Sequence, residues 1–110
     1  MNKWYNLKMR LLLKYFKHKA KRKVKPELLE NHHFRIKYRA YGENNYFNGV
    51  GFTDGIFGAI GASEFCDIES LKKDLIVARK IYACTKAHQL NNLIKETRQF
   101  IKEYKQIRNL

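Results

Sequence analysis

The chain has 110 residues, enough for one domain with a modest core and too few for several. Its 45% apolar and 14% aromatic content is that of a folding chain and excludes a disordered tail. With 23 Lys and Arg against 10 Asp and Glu, the formal charge of +13 calls for polyanions nearby.

That charge is unevenly placed. Residues 1–41 carry 13 basic and 2 acidic side chains, and residues 67–110 carry 10 and 5. Between them, residues 42–66 hold no Lys or Arg and three acids, Glu43, Asp54 and Glu64. Two cysteines, Cys66 and Cys84, are too few for a disulfide scaffold and fit a reducing compartment. No apolar run approaches the ~20 residues of a transmembrane helix. Lys8, Arg10 and Lys14 interrupt the N-terminal apolar positions, which argues against a secretory signal. The expected location is intracellular: cytoplasm, nucleoid or an organelle matrix.

Residues 2 to about 23 read as a helix, free of Gly and Pro and rich in Leu, Lys, Met and Arg. Tyr5, Met9, Leu12, Phe16 and Ala20 form one apolar stripe, and Trp4, Leu7, Leu11 and Tyr15 form a second. Two stripes predict burial on more than one side, within the fold or against a partner. Pro26 ends or restarts this helix. Residues 27–33 read as a short helical turn or a loop.

Residues 34–41, FRIKYRAY, alternate without a fault. Phe34, Ile36, Tyr38 and Ala40 share one face of a strand, while Arg35, Lys37, Arg39 and Tyr41 share the other. GENN at 42–45 predicts a turn and Tyr46 to Phe52 a second strand. A third strand, or a short loose helix, is expected within the Gly-rich 56–66. Asp67 or Ser63 caps the next helix. Around residues 85–92 the β-branched and Asn residues weaken helix propensity, which predicts a break or kink. The last helix, about 89–109, places Leu90, Leu93, Ile94, Phe100, Ile101, Tyr104 and Ile107 on one side.

The candidate chemistry is cationic. Lys14, Lys17, Lys19, Lys21, Arg22, Lys23 and Lys25 lie close together in sequence and suit phosphate neutralisation. Arg35, Lys37 and Arg39 repeat at ~7 Å along a strand face, near the phosphate repeat of an extended nucleic-acid strand. Tyr41, with Tyr46 or Phe47, would stack on bases. The competing account is a charged sheet edge and a solvated helix face. Cys84 and His88 share a helix face, but one helix over 67–84 holds Cys66 about 27 Å from Cys84. Neither a disulfide nor a metal site is expected. The Gly-rich segment matches no phosphate-binding fingerprint. No acid pair or nucleophile motif points to catalysis, and no cofactor is expected.

The expected fold is α+β in one domain. A basic N-terminal helical extension, residues 1–26, joins a core of residues 27–110. That core holds a two- or three-stranded antiparallel sheet on 34–66 and two C-terminal helices packed on it. The expected function is a non-catalytic nucleic-acid-binding accessory protein, either a ribonucleoprotein component or a small viral or mobile-element factor. The partner is RNA or DNA. A protein partner or homo-oligomer through residues 4–16, or an anionic membrane surface, is the alternative.

Overall fold

A computed structural model describes residues 3–109. The fold is α+β. Helix α1 spans Lys3–Lys23, strand β1 Lys25–Leu28, β2 Phe34–Ala40, β3 Glu43–Phe47 and β4 Phe52–Asp54. The short helix α2 covers Gly55–Ile60 and the long helix α3 covers Ile68–Arg108. The N-terminal helix thus matches expectation, apart from its expected first residue, 2, which lies outside the described residues.

The sheet is an antiparallel meander in the order β1-β2-β3-β4. It has four strands where two or three were expected, because Lys25–Leu28 pairs with β2. Pro26 stands opposite Ile36 on the edge strand, where its missing N–H disrupts no interior ladder. The segment read as a helical turn or loop therefore begins as strand, and only the residues after Leu28 form a turn, closed by Leu29 N–H to His33 C=O at 2.8 Å.

The central hairpin turns earlier than the GENN composition suggested. Ala40 pairs with Glu43, so Tyr41 and Gly42 alone make the turn. Both have positive φ, 53° and 80°, which is the two-residue type I′ geometry that matches strand twist. Tyr41 is therefore a turn residue rather than the last residue of β2. The stretch read as one strand, 46–52, is split by a second turn. There the Asn48 carboxamide oxygen accepts from Val50 N–H at 3.0 Å and Gly51 N–H at 2.9 Å. The competing short helix, not a third strand, forms after β4. It sits so close that a Cβ on Gly58 would lie 2.1 Å from the Thr53 carbonyl oxygen, which admits glycine alone. Of this segment, Phe65 makes only an isolated bridge with Phe34.

α3 is one 41-residue helix, about 60 Å long, where two helices joined by a break were expected. Packing overrides the weak local propensity. Ala83 and Ala87 are fully buried against Met9 and Phe16 of α1, and their small size lets the two helices approach. Asp67 caps the start, its carboxylate accepting from Ser70 N–H at 2.8 Å and holding its own pKa below the usual range through that bond.

The core lies where the inward face of the sheet meets the first half of α3 and the end of α1. Ile36 and Phe47 from the sheet, Ala20 and Val24 from α1's end, and Ala78 and Tyr82 from α3 all pack there. The alternation read in β2 holds: Ile36 is fully buried and Arg39 exposed. Only the first stripe of α1 is used. Met9, Phe16 and Ala20 are buried, whereas Leu7, Leu11 and Tyr15 remain 49–61% exposed.

Candidate nucleic-acid interface

A groove of about 470 Å³ opens between α1, the tip of the β2–β3 hairpin and the middle of α3. Lys19 and Lys23 line it from α1, Arg39 and Tyr41 from the hairpin, and Lys86 from α3. Its floor is apolar, with Phe16, Leu90 and Leu93, and no carboxylate lines it. Four cations from three elements therefore border one concavity.

Aromatic rings lie beside two of those cations, Lys86 and Lys19. The ammonium of Lys86 stands 5.7 Å from the ring centroid of Tyr38 and 5.8 Å from that of Tyr82. The two rings meet edge to face at 4.9 Å, so they form one fixed platform. Burial raises the phenol pKa of both; the charge of Asp54 adds to the rise at Tyr38, and neighbouring tyrosines add to it at Tyr82. Both phenols stay neutral around pH 7. Lys19 likewise lies 6.0 Å from the Phe16 ring.

Tyr41 has the least support. It is fully exposed at the hairpin tip and occupies the left-handed region, which a bulky side chain rarely adopts. Tyr46 and Phe47, the other stacking candidates, are buried. Tyr46 lies under the Arg35 guanidinium at 4.3 Å.

The remaining strand cations are placed differently. Arg35 and Lys37 both pair with Glu27, which reaches them from β1. Burial acts to raise the Glu27 pKa, but hydrogen bonds and charge from Lys37 and Arg35 outweigh it and hold the carboxyl below its usual value. Of the three strand cations, only Arg39 joins the groove. Lys25 stands opposite Lys37 at the sheet edge.

The polybasic tract divides between two sides of α1. Lys19 and Lys23 face the groove, while Lys14, Lys17 and Lys21 border a second, open concavity of about 720 Å³ with Arg10, His18 and Tyr15. Arg22 is exposed and lines neither. Lys86 was not singled out in sequence, because it sits 45 residues from Tyr41 and only the tertiary fold brings them together. Its position two turns beyond Ala78 and next to Ala87, on a helix with a buried small-residue face, was the signal available.

Two smaller clusters complete the polar surface. His33 Nδ1 lies 3.1 Å from Glu64 Oε2, and this contact leads the effects that lower the Glu64 pKa. Glu43 has its pKa raised by a hydrogen bond and charge from Asp54. Cys66 and Cys84 are both free thiols. Among the described residues no three His, Cys, Asp or Glu side chains converge as a metal site. Among them, too, no helix is long and apolar enough to cross a membrane. No family model, curated protein or solved structure matches this chain.

Proposed function

We propose that this chain is a non-catalytic nucleic-acid-binding accessory protein that acts inside the cell and grips the phosphate backbone in the groove between α1, the hairpin tip and α3. The observation that carries the reading is the convergence of Lys19, Lys23, Arg39 and Lys86 on one acid-free concavity beside an exposed Tyr41. Cations arranged this way release counter-ions when they meet phosphates, and that release supplies affinity without base reading. An unpacked tyrosine at the groove's mouth offers a ring face to an unpaired base, which favours single strands over duplex. The groove's lining supports binding rather than chemistry, since it presents no histidine, cysteine or carboxylate.

The second cationic surface of α1, with Lys14, Lys17 and Lys21, extends the electrostatic field around the groove. In this reading Arg35 and Lys37 tie the sheet edge together through Glu27 and contribute to the field at longer range.

The test is fluorescence anisotropy with labelled single-stranded and duplex oligonucleotides, DNA and RNA, across a salt series. Affinity is expected to fall steeply with salt. Lys86→Gln and Lys19→Gln are each expected to lower the log–log slope by about 1. A flat salt response, or unchanged slopes in both variants, overturns the proposal.

A protein-docking role for α1 is the second reading. It is favoured by the exposed row of Leu7, Leu11 and Tyr15, which the fold leaves uncovered. Affinity purification with and without nuclease separates the two: partners lost on nuclease treatment support the first reading, and partners retained support the second.

A further inference from the structure

The last third of α3 projects beyond the rest of the protein. Residues 96–109 are all exposed. Yet the segment carries large apolar side chains: Leu93 is 57% exposed, Phe100 68%, Ile101 47%, Tyr104 57% and Ile107 69%. Positions 93, 97, 100, 104 and 107 alternate spacings of four and three, the seam at which one helix packs on another. Ile101 widens that seam.

We infer that this stripe is the contact between two copies of the chain, paired helix to helix. Shape is the first argument. The four-three spacing accepts a helix, and the chain itself supplies one of matching length. Charge is the second. Glu96 and Glu103 lie one turn from Phe100 and Ile107 and edge the stripe with carboxylates. Lys105 and Arg108, one turn from Ile101 and Tyr104, edge its other side with cations, and Arg98 and Lys102 project from the back of the helix. An anionic lipid surface or nucleic acid laid on the stripe would meet the negative charges along one edge, whereas a second copy can set its basic edge against them. With two acids against four bases, residues 96–109 carry only +2 of the chain's +13. Two copies therefore approach here with little of the repulsion they meet elsewhere.

Area is the third argument. At the exposures above, the five side chains offer about 600 Å² per copy, so with their flanking residues a pair can bury about 1,200 Å², the lower bound of a specific interface. Closed two-fold pairs are the commonest homo-oligomers, and one stripe per copy closes in that way. The stripe shares Leu93 with the groove, but Phe100, Ile101, Tyr104 and Ile107 lie outside it, so the pairing is tested apart from the nucleic-acid reading.

The experiment is sedimentation velocity on the full chain, free of nucleic acid, across a micromolar concentration series. The wild type is expected to pass from monomer to dimer. Phe100→Ser with Ile107→Ser is expected to weaken the dimer by at least about tenfold. Its thermal transition, extrapolated to low concentration, should match the wild type, because neither side chain belongs to a core cluster. A wild type monomeric throughout overturns the inference, as does a dimer that survives both substitutions. Flotation with anionic phosphatidylserine vesicles is the second arm. A monomeric chain that floats, and loses flotation in the same variant, assigns the stripe to lipid and overturns the pairing.

Discussion

Arg79, in the first half of α3, donates from Nε to the backbone carbonyl of Val24, the residue that follows α1, over 3.1 Å. Its Nη2 reaches the Lys21 carbonyl at 3.4 Å. The last carbonyls of a helix have no partner within it, and a cation there also complements the negative end of the helix dipole. This pair of bonds fixes where α1 stops and hence where Lys19 and Lys23 enter the groove. Arg79→Met keeps the stem and removes the donors. It is expected to cost about 1.5–3 kcal/mol in chemical denaturation, the range for a hydrogen bond to a charged group.

Glu27 binds two cations that would otherwise face solvent or phosphate. Its carboxyl is held below its usual pKa, so its contribution to stability is present in full above the unfolded-state value near 4.5 and is lost as pH falls through the lower folded value. Glu27→Gln is therefore expected to destabilise the protein at pH 7 and to flatten this part of the acid limb of its stability profile. It should also tighten nucleic-acid binding, since Arg35 and Lys37 are released and the net charge rises by one. Urea midpoints across an acid pH series, with anisotropy at fixed salt, check both halves.

Tyr41 sets stability against function. A type I′ turn prefers Asn-Gly, and Tyr41-Gly42 places a bulky side chain in the left-handed region. Tyr41→Asn is expected to leave stability unchanged or raise it by up to about 1 kcal/mol. The same change removes a stacking ring and should weaken single-strand affinity by about 1–3 kcal/mol, with a smaller effect on duplex. A variant that binds single strands as well as the wild type removes Tyr41 from the interface.

Asn91 is 2% exposed, and its carboxamide oxygen has no hydrogen-bond partner. An unsatisfied buried acceptor costs about 1–3 kcal/mol. Asn91→Leu, alike in branching at Cγ and without the unpaired acceptor, is expected to recover about 1 kcal/mol and raise the thermal midpoint by several degrees.

Gly58 tests the placement of α2. A Cβ there meets the Thr53 carbonyl oxygen at 2.1 Å, and backbone cannot move aside as a flexible side chain does. Gly58→Ala should cost about 1–3 kcal/mol, even though alanine is the better helix former. Differential scanning calorimetry reads the loss.

Some of this was legible in the sequence because it is local. Alternation in Phe34–Ala40 identified the buried and exposed faces of β2, since strand side chains change sides at every residue. The stripe through Met9, Phe16 and Ala20 identified the face of α1 that is buried. Asp67, one of the two cap candidates with Ser63, caps α3 through its own side-chain oxygen. Turn composition was less informative. GENN suggested a turn that begins one residue late and ends three late, because Tyr41 accepts a φ that its residue type disfavours and only strand pairing decides the register.

Tertiary structure decided the rest. Weak helix formers between Thr85 and Asn92 predicted a break, yet burial of Ala83 and Ala87 against α1 carries α3 through unbroken. Charge pattern alone grouped Arg35, Lys37 and Arg39 as equals. The fold brings a β1 carboxylate to the first two and leaves the third for the groove. Lys86 joins that groove only because α3 passes between hairpin and α1. Composition and periodicity establish that this chain is a strongly cationic α+β protein, since they depend on residues near one another in sequence. Which cations share a site depends on separations through space, and only the packed chain sets those.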